Sequence, residues 1–259
     1  MQKITIKKIL KKKGKLPIVC LTAYTKNVAK IADKYCDIIL VGDSLGMVLY
    51  GMKTTRSVKI ETMILHGKTV KKFAKKSLVV IDMPYKTYTS KLVAYKNAKK
   101  IIKNTSCDAV KLEGGKNISK IIKHLVNKGI PVMGHVGLLP QYSTTFKYKG
   151  KNLNQKNKIL EDAIAISKSG VFSMVIECVV EDLAKQITRS VSVPTIGIGA
   201  SKYCDGQILV IDDMLGLSDF SPKFVKQYSK LKKIIEKSIK NYTKDVKLRK
   251  FPSDKYVYK

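Results

Sequence analysis

Six short apolar runs end in, or just before, a titratable side chain. Asp43 follows DIILV by one glycine, Asp82 follows SLVVI, Glu113 follows DAVKL, His135 follows IPVMG, Glu177 follows SMVI and Asp212 follows QILVI. Lys111 lies inside DAVKL. One Asp after a strand is most simply an N-cap or a turn residue; the coincidence across so many runs points to a site. Several carboxylates without a Cys/His cluster suit a hard divalent cation such as Mg²⁺, which takes oxygen ligands and keeps several waters. A lysine among them would hold a substrate carboxylate. The segment Gly197 to Ala200 could cradle phosphate, although close backbone packing is the plainer reading. Asp212 and Asp213 could equally cap the turn DDMLG.

The runs read as strands separated by amphipathic helices. Strands are expected over 16–24, 37–41, 77–81, 108–112, 130–134, 173–176, 193–198 and 207–211. Helices are expected over 26–34, 59–74, 90–103, 118–127, 157–169, 181–190 and 222–242. Strands this short and apolar are buried on both faces, as in a parallel sheet. About eight β–helix–β alternations in this length match a (β/α)₈ barrel, with an open doubly wound sheet as the competitor. In a barrel the C-terminal strand ends share one mouth, which would gather the polar residues; the N-terminal ends are expected to carry no comparable set. Gln141 to Gln155 reads as a polar loop over one face. No linker interrupts the chain. It is expected to be one domain, 1–259, with a basic segment 1–15 and a helical tail 222–259.

The 259 residues are 44% hydrophobic, too apolar for a disordered chain. Nothing resembles a membrane span or a secretory signal. Five scattered cysteines without C-x-x-C fit a reducing cytoplasm. The net charge of +32 suggests polyanions, but Arg occurs only at 56, 189 and 249. Base recognition relies on Arg forks and stacking aromatics, so no specific nucleic-acid partner is expected.

The motifs VGDSLG (41–46), KLEGG (111–115), GHVGLLPQ (134–141), IECV (176–179), VPTIGIGA (193–200) and DGQILV (205–210) occur in the order found in ketopantoate hydroxymethyltransferases, and the chain resembles that family. The resemblance implies a (β/α)₈ TIM barrel of the phosphoenolpyruvate/pyruvate type. It implies transfer of a hydroxymethyl group from 5,10-methylenetetrahydrofolate to 3-methyl-2-oxobutanoate, giving 2-dehydropantoate for pantothenate synthesis. It also implies Mg²⁺ and a homo-oligomer, commonly a homodecamer. Carried over residue by residue, the metal acids are Asp43, Asp82 and Glu113. The oxo-acid contacts are Asp43, Ser44, Asp82 and Lys111, with His135 lining the same pocket, and the base is Glu177. The chain departs from the family pattern at Thr25, at Asp212–Asp213 and in STTFKYKG (143–150). A carbon–carbon lyase of the same barrel type is the nearest rival; it would need a reactive thiol or phosphate contacts, and Cys178, which reads as core, is the cysteine placed for a thiol.

Overall fold

The computed structural model describes residues 2–259 apart from 144, 146 and 220. Thr144 and Phe146, in the segment that departs from the family pattern, lie outside the described residues. The chain divides into two compact units, Met1–Val210 and Ile211–Lys259.

The first unit is a closed eight-stranded barrel. Its strands are β1 (Ile18–Thr22), β2 (Ile38–Val41), β3 (Leu78–Asp82), β4 (Ala109–Lys111), β5 (Val132–Gly137), β6 (Ser173–Glu177), β7 (Thr195–Ile198) and β8 (Gly206–Leu209). Every neighbouring pair is parallel, and β8 closes on β1 with Ile18 opposite Gly206 and Leu21 opposite Leu209. The helices are α1 (Ile6–Leu10), α2 (Lys26–Tyr35), α3 (Leu45–Val48), α4 (Ile60–Phe73), α5 (Lys91–Thr105), α6 (Ser119–Asn127), α7 (Leu153–Lys168) and α8 (Glu181–Ser190). Residues 199–205 join β7 to β8 without a helix, in keeping with the expected elements, which place none between 198 and 207. Glycine permits this close descent. A Cβ on Gly206 would stand 2.4 Å from the Ile18 carbonyl oxygen, and one on Gly197 would meet Gln207 and Cys204. Gly197 of GIGA thus serves close packing, the plainer reading, and Gly199 takes a left-handed φ of +58°.

Side chains alternate across a strand with period two. Ile18 and Cys20, Ile38 and Leu40, Leu78 and Val80, Ala109, Met133, Val175, Ile196 and Ile208 form one buried interior cluster. Ile9 of α1 joins it, fully buried, with Ile4 and Ile6 packed against it. The basic N-terminal segment is thus a plug in the barrel base. Its lysines meet aspartates at strand starts: Lys12 pairs with Asp37 at 2.7 Å, Lys13 with Asp205 at 2.9 Å and Lys3 with Asp108 at 2.6 Å. Lys71 of α4 adds a second ammonium to Asp108 at 2.5 Å. The N-terminal strand ends do carry an acidic set, contrary to the sequence expectation. Those acids accept backbone N–H groups, Asp37 from Val19, Asp108 from Val79 and Asp205 from Thr195. Burial opposes their charge, but the donors outweigh it and hold Asp108 and Asp205 below the usual carboxylate range.

The second unit holds α9 (Ile211–Leu215) and α10 (Leu231–Lys247). The tail helix starts at 231, not 222; residues 222–230, opened by Pro222, form no helix. Asp212 and Asp213 lie in the first turn of α9, not at a strand end, and Asp213 accepts from Ser218. No described helix is long and apolar enough to cross a membrane. Truncating the plug, Ile9→Ala, is expected to cost about 2–5 kcal/mol, read as a lowered urea midpoint; an unchanged midpoint would show that α1 is not part of the barrel's cooperative core.

Candidate active site

The inward rows of the core continue upward into polar residues two positions further on. Val80 leads to Asp82, Ala109 to Lys111 and Glu113, Met133 to His135, and Val175 to Glu177. Asp43 and Ser44 follow β2 across Gly42 and open α3. The mouth is therefore built on strand ends, with the apolar layer as its floor.

Strand register sets the first contact. Asp82 and Lys111 are directly opposite in the β3–β4 pair, and the Lys111 ammonium lies 2.6 Å from Asp82 Oδ1. Asp82 Oδ2 accepts the Asp43 backbone N–H at 3.0 Å. Glu113 Oε1 is 3.9 Å from the Lys111 ammonium and 3.7 Å from His135 Nδ1. His135 Nε2 is 3.4 Å from Glu177 Oε2. Ser44 stays half-buried beside Asp43, its hydroxyl 2.8 Å from the Tyr24 hydroxyl. Asp43, Ser44, Asp82, Lys111, Glu113, His135 and Glu177 thus come together at one end of the barrel, whereas Asp212, the sixth residue expected at a strand end, lies in α9 of the second unit.

His135 Nε2 lies 2.8 Å from the Leu138 carbonyl oxygen, which can only accept, so Nε2 carries the proton. Nδ1 is then a bare acceptor, buried and without a hydrogen-bond partner. Burial and the nearby Lys111 charge push the imidazole's pKa well below its usual value, so it is neutral. Leu138 follows Gly137, whose φ of +97° and 2.4 Å approach of a Cβ to the Glu177 carbonyl oxygen admit only glycine.

Four acids thus share one ammonium. Asp43, Asp82, Lys111 and Glu113 are each at most 4% exposed, and Glu177, with 16% of its side chain exposed, is the most open. Burial, and then the charge of Asp82, raises Asp43 to about 7. Burial raises Glu177 to about 8 and Glu113 well above its usual range. Lys111 is held protonated: burial opposes its charge, but Asp82, Glu113 and Asp43 outweigh it. This surplus of buried carboxyls suits an added cation. Among the described residues no three acid, His or Cys side chains form a ready metal cluster. The carboxylate donors are of the type a hard cation takes, and one or two of them with water suffice for Mg²⁺.

Two contributors escaped the sequence reading. Gln141, assigned there to a polar loop, is 1% exposed and hydrogen-bonds Asp43 and Glu113. Tyr88, buried after β3, donates to the Gln141 side-chain oxygen. The motif GHVGLLPQ ends on Gln141, which was the available signal. Thr25, a departure from the family pattern, is only the N-cap position of α2.

The family profile of ketopantoate hydroxymethyltransferase matches residues 3–254. The chain belongs to this family. It is 53% identical to the 3-methyl-2-oxobutanoate hydroxymethyltransferase of Pelagibacter ubique, over 97% of this chain and 99% of that one. The enzyme of the same name from Bartonella henselae is 51% identical, over 100% and 96%. Among solved structures the barrel is similar to phosphonopyruvate hydrolase in complex with oxalate and Mg²⁺, at TM-score 0.65 and 10% identity over 100% of this chain and 92% of that one. It is also similar to 2,3-dimethylmalate lyase of the PEP mutase/isocitrate lyase superfamily, at TM-score 0.64 and 10% identity over 99% and 89%. These structural likenesses concern the fold. The chain is thus a hydroxymethyltransferase of the ketopantoate family on a TIM barrel, with the acidic mouth as its candidate active site.

Because Asp43, Glu113 and Glu177 titrate higher in the folded chain than unfolded, the folded state binds more protons over the intervening range. The metal-free protein therefore loses stability as pH rises towards and through about 8. Lys111→Met removes the one balancing charge. It is expected to destabilise by about 3–5 kcal/mol at pH 9 and by clearly less at pH 6. Melting curves at the two pH values check this; an equal loss at both would mean that Lys111 does not neutralise the acids.

Proposed function

We propose that the site transfers a hydroxymethyl group from 5,10-methylenetetrahydrofolate to 3-methyl-2-oxobutanoate, giving 2-dehydropantoate in pantothenate synthesis. The observation that supports this best is the buried set of Asp43, Asp82, Glu113 and Glu177 around Lys111 at the barrel mouth. Asp43 and Asp82 would hold Mg²⁺, with Glu113 binding directly or through water. Bound there, Mg²⁺ supplies Lewis-acid stabilisation of negative charge on the keto oxygen. The Mg²⁺ named for phosphonopyruvate hydrolase, which shares the fold, is consistent with this.

Lys111 and Ser44 bind the substrate carboxylate. The ammonium has three N–H groups and spends one on Asp82, so donors remain. Glu177 removes the C3 proton. A carboxylate of ordinary basicity is a weak base for a C–H acid, and burial gives Glu177 a value of about 8, much better matched to the task. His135 stays neutral, its Nε2–H spent on the Leu138 carbonyl oxygen, and lines the pocket 3.4 Å from Glu177 without adding a charge. The carbon freed of its proton then forms a bond to the one-carbon unit of the folate, both C–N bonds of that unit break, and water supplies the hydroxyl oxygen. Tetrahydrofolate leaves with the C3 proton and one water proton on its two nitrogens; the rate rests largely on holding the partners in contact.

The rival lyase chemistry through a thiol has poor support. Burial, and then the neighbouring Glu177, pushes the Cys178 thiol up to about 12, so it stays protonated and unreactive. We further propose a cytoplasmic homo-oligomer, in keeping with the family resemblance. Its support is α10, which buries none of its residues and exposes Ile234, Ile235, Ile239, Tyr242 and Val246.

The reading is tested by deuterium exchange at C3 of 3-methyl-2-oxobutanoate in D₂O, followed by NMR. The expected result is Mg²⁺-dependent exchange; none, even with tetrahydrofolate present, would overturn the proposal. Glu177→Gln should retain oxo-acid binding but slow exchange by about 10²–10⁴-fold. Exchange at the wild-type rate would remove Glu177 from the role of base. Light scattering on the purified chain should give a mass several times 29.0 kDa; a monomer would end the oligomer proposal.

A further inference from the structure

Gln141 reaches the acidic mouth from the loop after β5 and uses every hydrogen-bonding group it has. Its backbone N–H donates to Glu113 Oε2 at 3.1 Å. Its side-chain Nε2 donates to Asp43 Oδ2 at 2.8 Å and to the Met83 carbonyl oxygen at 3.0 Å. Its side-chain Oε1 accepts the Tyr88 hydroxyl, and its backbone carbonyl accepts Arg56 Nε at 2.9 Å. The amide orientation is forced by chemistry: reversed, it would set an oxygen against both a carboxylate and a carbonyl. The Arg56 guanidinium, 5.5 Å from the Tyr85 ring centre, closes the arrangement from outside.

One residue therefore grips two acids that come from different strands. Asp43 follows β2 and Glu113 follows β4, while the anchors Met83 and Tyr88 follow β3. The grip is also uncharged. A lysine in this place would neutralise Asp43 and compete with any cation, whereas an amide orients the carboxylate and leaves its charge available. Asp82, by contrast, is already paired to Lys111.

We propose that Gln141, braced by Tyr88, is a positioning residue that holds the carboxyls of Asp43 and Glu113 in place for a divalent cation. This rests on the metal-dependent reading given above and assigns a role to a residue which that reading does not use. Loss of a partner that orients metal-binding carboxylates typically costs about 10–100-fold in metal affinity.

The test is Mn²⁺ binding to the purified full chain, followed by electron paramagnetic resonance, for wild type, Gln141→Leu and Tyr88→Phe. Gln141→Leu keeps the backbone N–H to Glu113 but loses the grip on Asp43. It is expected to weaken Mn²⁺ binding by about tenfold or more, to broaden the bound-Mn²⁺ spectrum and to lose most of the rise in melting temperature that Mg²⁺ gives wild type. Tyr88→Phe, which deletes one hydroxyl, should weaken binding several-fold. A residue that only pins the loop would lower the melting temperature of the metal-free protein and leave Mn²⁺ affinity alone. Affinity within twofold of wild type in folded Gln141→Leu overturns the proposal while leaving the metal-dependent reading standing. If Gln141→Leu does not fold, Tyr88→Phe decides by the same criterion. Wild type that binds no Mn²⁺ overturns both together.

Discussion

Four buried acids around a single ammonium are an electrostatic imbalance that a barrel mouth cannot hold without consequence. Ionised together, Asp43, Asp82, Glu113 and Glu177 would repel one another in a medium where each charge also lacks water. The protein meets this in two ways: it leaves carboxyls protonated near neutral pH, as the raised values of Asp43 and Glu177 indicate, and it places Lys111 among them. The same imbalance that weakens the mouth is what would draw in a cation, while the carboxylate of an oxo acid would be held by the Lys111 ammonium. Stability is given up at the end of the barrel that carries the candidate site.

The opposite rim shows the other solution to the same problem. Asp108 and Asp205 are also largely enclosed, yet they are held below the ordinary carboxylate range because each receives a backbone N–H and at least one lysine. These acids tie strand starts to the residues flanking α1, whose Ile9 seals the floor of the interior. Aspartates next to strands thus act structurally at one end and are left under-compensated at the other. The difference lies in the number of donors facing each acid, not in the residue type. A small part of the lysine excess finds its purpose here, at Lys3, Lys12, Lys13 and Lys71.

Much of this was legible in the sequence because period two and a parallel barrel leave few choices. Once Ala109 faces inward, Lys111 must do so too, and Glu113 continues the row; Asp82, His135 and Glu177 follow in the same way. What escaped was set by tertiary contacts with no local periodicity. Gln141 sits in a segment that reads as polar loop, and only the approach of Asp43, Met83 and Tyr88 buries it. The start of α10 was misplaced because the apolar spacing extends back through residues that do not become helical. The acids at the N-terminal rim have no local signal: Asp37 and Asp108 open the expected strands, but the lysines that pair with them and with Asp205 come from distant parts of the chain.

The neutrality of the remaining donors follows the same logic. His135 gives its only proton to the Leu138 carbonyl oxygen, and Gln141 offers amide hydrogens. Had either been a fixed cation, the surplus of negative charge would shrink and the attraction for a metal would shrink with it. A second ammonium would also hold Glu177 more firmly ionised and make it a weaker base, since a nearby positive charge lowers a carboxyl pKa. Orienting the acids with uncharged donors, and confining the positive charge to Lys111, therefore serves two demands at once. On the proposed reading, the mouth would stay negative enough to hold a cation, and the most exposed of its acids would stay basic enough to take a proton from carbon.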